Sequence, residues 1–207
     1  MKNSTRGVLL TKDIKDNRKP ATKINASSEI KDQILQTVLV VLEQKGPKFT
    51  TADIAKKMAT SKRTVYKYFP SKTDLIDATI DFVFSQLGTT GASAEHIKNI
   101  DQLSRVLKTP LSFNIGLLLH YSFDFKRLYP AQWAKIVRLL TQMENQILKL
   151  LYKFAHRPLT YVDKEVLTIM LTKSIEQIFV QSFTADDPNY YQSAMQSMYE
   201  IIIYGVA

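Results

Sequence analysis

The sequence predicts an all-α protein with a helix-turn-helix near its N-terminus. Three observations carry that prediction. Apolar residues recur at three- and four-residue spacing from about Ser28 onwards, and no stretch alternates convincingly with a period of two. Prolines at 47, 70, 110, 130, 158 and 188 punctuate the pattern at helix-length intervals. Between Thr50 and Phe69 two short helical segments sit either side of a tight turn, the spacing of a helix-turn-helix.

The elements follow in order. Residues 1–27 are polar and basic and are expected to form a disordered arm. A first helix is predicted over Ser28 to Gln44. Ile30, Ile34, Val38 and Leu42 form one face, Ser27 or Ser28 caps it, and Gly46-Pro47 stops it. Thr50-Thr51-Ala52-Asp53 is a capping-box pattern that opens a helix to about Met58. Ala59-Thr60 turn the chain, Ser61 caps a third helix to Tyr68, and Pro70 ends it. Ser71-Lys72-Thr73-Asp74 reads as a second capping box, opening a linking helix over 71–88. Further helices are expected near 95–108, 111–127, 130–156, 163–184 and 188–205. The implied division is an arm over 1–27, a helix-turn-helix head over 28–72 and a helical body over 89–207, joined by the linking helix.

Charge sharpens the division. The chain of 207 residues has a formal net charge of +9. Residues 1–27 and 28–72 each carry +5, and residues 73–207 carry −1. An N-terminal excess on a neutral body points to a polyanion-binding module. There are no cysteines, so disulfides, thiolate metal sites and a cysteine nucleophile are excluded. His96, His120 and His156 are scattered without metal-ligand spacing, and no glycine-rich phosphate loop or nucleophile elbow is present. The expectation is a non-enzyme with no cofactor and no metal. Leu111 to Phe123 falls short of the ~20 apolar residues of a spanning helix, and Val8-Leu9-Leu10 is too short for a signal peptide. A cytoplasmic protein with no membrane contact is expected.

The helix-turn-helix carries the function. Ile54, Ala55, Met58 and Val65 can pack two short helices at a steep angle, with Ala55 small enough for close approach. The second helix is then presented to a major groove, where base edges are distinguishable. Lys62, Arg63, Thr64 and Lys67 can reach bases or phosphates, and Tyr66 and Tyr68 offer hydroxyls to phosphate. Thr50, Thr51, Ser61, Ser71 and Lys72 sit at helix starts whose N–H groups suit phosphate.

At these residues the sequence resembles the TetR family of transcriptional regulators. The matching segment runs from Phe49 to Ile76, with T-x-x-x-I-A, S-K-x-T-x-Y-x-Y-F and P-S-K-x-x-L in succession. Ala59 stands where the family usually has glycine, at a turn that often needs a positive backbone dihedral. Arg63 replaces a common glycine and either reads a guanine or clasps a phosphate. The basic arm either lies in an adjacent minor groove or is a loose tail. The resemblance implies a homeodomain-like DNA-binding domain, a C-terminal ligand-binding and dimerisation domain, and contacts to DNA from Thr50, Thr51, Ser61, Lys62, Arg63, Thr64, Tyr66, Lys67, Tyr68 and Lys72.

The family's body implies a homodimer on a pseudo-palindromic double-stranded operator, and a repressor released by a small apolar or aromatic effector. The aromatic middle of the chain supplies candidate pocket residues Phe113, Leu117, His120, Tyr121, Phe125 and Trp133; ordinary core packing is the competing reading. Leu171, Ile175, Ile178 and Phe179, with Met198 and Ile202, are candidate interface residues, because the two last helices are apolar too far round to be covered on one side; central helices of a monomer core are the competing reading. The alternative role is an accessory or architectural protein acting through protein contacts.

Overall fold

A computed structural model describes residues 21–86, 92–108, 121–182, 185–187 and 189–206. No strand occurs among the described residues. The first helix, α1 (Ala21–Lys45), begins seven residues before the expected Ser28. Ser27 and Ser28 therefore lie inside it rather than capping it. The physical reason is that Ala21 to Ala26 contains no breaker after Pro20, and proline is well tolerated at a helix entrance. Residues 21–27 of the expected arm are thus helical, while the rest of the arm lies outside the described residues.

A single 3-10 turn, Gly46–Lys48, follows, with Gly46 at φ 66°. Then come α2 (Thr51–Lys57), α3 (Lys62–Tyr68) and α4 (Lys72–Ser85). The apolar stripe of α1 (Ile34, Leu35, Val38, Leu39, Val41 and Leu42) is buried against Ile54, Ala55, Val65 and Phe69 of the short helices and Leu75, Ile76, Ile80 and Val83 of α4. Ser71 caps α4 by accepting from the Asp74 N–H (3.0 Å). The Asp74 carboxylate accepts the Ser71 hydroxyl (2.7 Å), so this cap differs from the reciprocal box expected of it.

The expected helix over 95–108 is two pieces, α5 (Ala92–Glu95) and α6 (Ile100–Lys108). Asn99 breaks it: its side-chain oxygen accepts from the Gln102 N–H (2.9 Å), a helix start rather than a helix interior. Of the expected 111–127 helix, the described part is α7 (Ser122–Leu128). Then come α8 (Pro130–Phe154), α9 (Tyr161–Ser182) and α10 (Tyr190–Val206).

Two cores result, and α8 belongs to both. At 25 residues it is about 38 Å long. Its first half sets Trp133, Ile136, Leu139 and Leu140 against the head core, which also takes in Phe125 and Tyr129. Its second half buries Ile147, Leu148, Leu150 and Leu151 with Leu103 of α6, Leu167 and Leu171 of α9, and Met198 and Ile202 of α10. The head core thus extends well beyond residue 88. Lys135 of α8 fastens the seam by reaching both Asp77 (2.7 Å) and Asp81 (2.8 Å), one turn apart on α4.

Candidate nucleic-acid interface

The site starts with a cap. The Thr50 side chain accepts from the Asp53 N–H (3.3 Å), and the Asp53 carboxylate accepts from the Thr50 N–H (2.8 Å), the reciprocal box read from the sequence. Lys45 at the end of α1 also donates to Asp53, at 2.5 Å. That bond first, and those from Thr50 next, hold the Asp53 carboxyl at about 2, below its ordinary 3.8. The start of α2 is thereby tied to the end of α1.

At its other end α2 closes in a Schellman arrangement. The Ala59 N–H donates to the Lys56 carbonyl (3.2 Å) and the Thr60 N–H to the Ala55 carbonyl (2.8 Å). This requires a left-handed residue between them, and Ala59 supplies it at φ 50°. The chain is then delivered to Ser61, which caps α3 by accepting from the Thr64 N–H (3.1 Å).

Val65 is fully buried beneath α3, and Phe69 is nearly so. With that face fixed inward, Lys62, Arg63, Tyr66 and Lys67 are left exposed on the outer face, as two i,i+4 pairs. The other candidates sit differently. Ser61 and Thr64 face each other, hydroxyl to hydroxyl, at 2.9 Å. The Thr50 hydroxyl donates to Asp53 (2.8 Å). Tyr68 is half-buried against the head core, with the Lys67 ammonium 5.8 Å from its ring centre. Thr51 is buried at 6% exposure, which takes its hydroxyl off the outer rim. Lys56 and Lys57, not singled out in the sequence, are exposed at the end of α2 and add to the positive field. Their signal was the lysine pair in the last turn, which also suits the helix dipole.

Lys72 is a structural tie as well as a surface cation. Its ammonium donates to the Pro47 carbonyl (3.0 Å) and lies 4.3 Å from the Phe49 ring centre and 5.3 Å from that of Tyr129. The Tyr129 hydroxyl also reaches the Pro47 carbonyl, at 3.4 Å. Tyr121 packs on Gly46 so closely that a Cβ there would sit 2.9 Å from its ring. The turn after α1, the start of α4 and the entrance to α8 are therefore one joint.

Of the candidate pocket residues, Phe125 and Trp133 line a cleft between α1, α4 and α8, and Tyr121 is at the joint just described. Phe113, Leu117 and His120 lie outside the described residues. The candidate interface residues sit mostly on the inner faces of their helices. Leu171, Met198 and Ile202 are buried in the chain's own second core, and Ile175 and Ile178 pack against it. Phe179 is half-buried. The exposed apolar face is the opposite one: Val162, Val166, Ile169, Met170 and Val180 on α9, with Ile201 and Tyr204 on α10. Among the described residues no group of three His, Cys, Asp or Glu could hold a metal ion, and no helix is long and apolar enough to cross a membrane.

A short helix held outward on buried Val65, in a head mounted on a long helical shaft, is the build of a helix-turn-helix transcriptional regulator. Residues 34–79 match the profile of the bacterial regulatory proteins of the tetR family. It is 21% identical over 188 residues to an HTH-type transcriptional regulator of Bacillus subtilis, covering 84% of this chain and 94% of that one. It is 26% identical over 140 residues to the nucleoid occlusion factor SlmA of Haemophilus influenzae, covering 64% of each. Among solved structures, a transcriptional regulator from Saccharomonospora viridis in complex with choline superposes with a TM-score of 0.60 at 19% identity, over 86% of this chain and 98% of that one. A TetR-family regulator from Rhodococcus sp. gives 0.57 at 14% identity, over 85% and 99%. At such identities the structural likeness speaks for the fold.

Proposed function

We propose that the chain acts as a homodimeric repressor that sets its two α3 helices into successive major grooves of a pseudo-palindromic operator, and that a small-molecule effector releases it. The observation that carries this is the α3 face itself: Lys62, Arg63, Tyr66 and Lys67 exposed above a fully buried Val65. Arg63 and Lys62 are the base-reading candidates, Tyr66 and Lys67 the phosphate contacts, and Thr50, Ser61, Thr64 and Tyr68 support the rim. Thr51 acts through its backbone at the helix start, and Lys72 at the edge of the rim chiefly through the joint. Two heads must stand about 34–36 Å apart to use adjacent grooves, so the reading requires a partner. The exposed stripe from Val162 to Val180 with Ile201 and Tyr204 supplies a surface for one. The choline held by the Saccharomonospora neighbour supports a small-ligand site behind such a head.

The test is selection of bound duplexes from a random pool, followed by affinity against salt. A two-fold-symmetric motif and a steep loss of affinity with salt are expected. Arg63→Ala should change base preference, whereas Tyr66→Phe should weaken all sequences alike. A pool that yields no motif overturns sequence-specific binding. The likeness to a nucleoid occlusion factor favours a second reading, in which DNA binding serves a protein contact. That reading predicts an operator affinity that no small molecule changes.

A further inference from the structure

We propose that α7 is a second DNA contact: Lys126 and Arg127 on its last turn, with Lys48 of the 3-10 turn, grip the phosphate backbone beside the groove that α3 enters. This rests on the regulator reading above. It extends the interface from the helix-turn-helix to an element that the sequence places in the body. The partner is the same duplex, held here by charge and not read for sequence.

α7 is fastened to the head. Tyr121, Phe125 and Tyr129 recur every four residues along it and so share one face. Tyr121 packs on Gly46, and Phe125 is buried in the head core. The Tyr129 hydroxyl reaches the Pro47 carbonyl (3.4 Å), and its ring centre lies 5.3 Å from the Lys72 ammonium. The first and last of these anchors sit on the turn that delivers the chain to Thr50 and on the start of α4. Both places belong to the rim of the DNA-binding face, so α7 is mounted on that rim.

With the aromatic face turned inward, Lys126 and Arg127 are exposed. They lie within a turn of Tyr129, about 5 Å along the helix axis, and so stand beside the edge that Lys72 occupies. Lys48 is exposed on the turn that Tyr129 touches. Other cations near the head are already committed, Lys45 to Asp53 and Lys135 to Asp77 and Asp81. Among the described residues Lys48 and Lys126 have no ion-pair partner. Arg127 has an exposed bond to Asp124 one turn back (3.2 Å), which is weak in water and can be exchanged for a phosphate. Positive charge on a rigid mount, continuous with the α3 rim, fits a polyanion. The duplex already lies at this edge in the regulator reading, which favours its backbone over an acidic protein as the occupant.

The experiment measures the affinity of the full-length protein for its selected duplex against salt. Lys126→Ala/Arg127→Ala is compared with Lys149→Ala/Lys153→Ala, which removes the same charge from the exposed surface of α8 about 30 Å further along the shaft. Each phosphate contact contributes about 0.9 to the slope of log affinity against log salt. The α7 variant should lose about 1.8 of that slope. Its affinity should then fall roughly ten-fold less than the parent's between about 50 and 200 mM salt, with the selected motif unchanged. The α8 variant should keep the parent's slope. Circular dichroism checks the helices of both, and Lys126→Gln/Arg127→Gln replaces the alanine pair if that pair unfolds. An unchanged slope, a changed motif, or an equal loss of slope in the α8 variant overturns the α7 contact and leaves the regulator reading standing. If the parent selects no motif, the regulator reading falls instead, and the same slopes on a random duplex decide the α7 contact.

Discussion

Replacing Ala59 by glycine should stabilise this protein, although glycine ordinarily weakens a fold. Ala59 sits at φ 50°. There its Cβ crowds the following carbonyl at a cost of roughly 1–2 kcal/mol. Its methyl is exposed, so removing it sacrifices little packing. Glycine returns part of the gain by loosening the unfolded chain, about 0.4–1 kcal/mol. The balance is a stabilisation of about 0.5–1 kcal/mol, or roughly 1–4 °C in melting temperature for a chain of this length. The Ala59 and Thr60 N–H bonds to Lys56 and Ala55 do not involve the side chain and should survive. Urea unfolding at fixed protein concentration measures the change, with Ala134→Gly on the right-handed, exposed surface of α8 as the control. The control should lose about 1 kcal/mol. The reasoning fails if the two variants shift stability in the same direction.

Other outcomes follow from the cap of α2 and the two faces of α9. The Asp53 carboxyl is depressed from 3.8 to about 2, so its contribution is complete above about pH 4 and is lost as pH falls towards 2. Asp53→Asn should therefore cost about 1 kcal/mol at neutral pH and little at pH 2, read from unfolding curves across that range. Ile169→Glu on the exposed stripe of α9 should give a folded monomer by light scattering. Leu171→Ala, two residues on and on the inner face, should instead lose about 2–5 kcal/mol of stability. If Ile169→Glu leaves the assembly state unchanged, the partner surface lies elsewhere. With the Arg63 and Tyr66 variants above, these separate the head from the partner surface.

Much of the head was legible because its signals are local. A capping box needs four residues, and Thr50 to Asp53 supply it. The turn after α2 advertised a left-handed residue, and Ala59 is one. Val65 and Phe69 point inward because a seven-residue helix between two fixed ends has one way to bury them. Where the local signal is ambiguous, the helix bounds differ from those expected. Nothing in Ala21 to Ala26 forbids a helix, so α1 extends further than its apolar stripe. Asn99 fits a helix interior poorly and starts one instead.

The body shows the limit more sharply. α9 is apolar nearly all round, so periodicity alone names several faces and ranks none. Leu171 turned inward and Ile169 outward because α8 and α10 arrived on one side. Lys72 reads as a surface cation in its motif, yet Pro47 and Tyr129, 25 and 82 residues from their partners in those bonds, make it part of a joint. The sequence by itself determined the helices, their caps and the basic face of α3, since each is set by residues within a turn or two. Which apolar face is core, which is surface, and where the cleft opens were decided by the tertiary structure, because burial depends on neighbours that are remote along the chain.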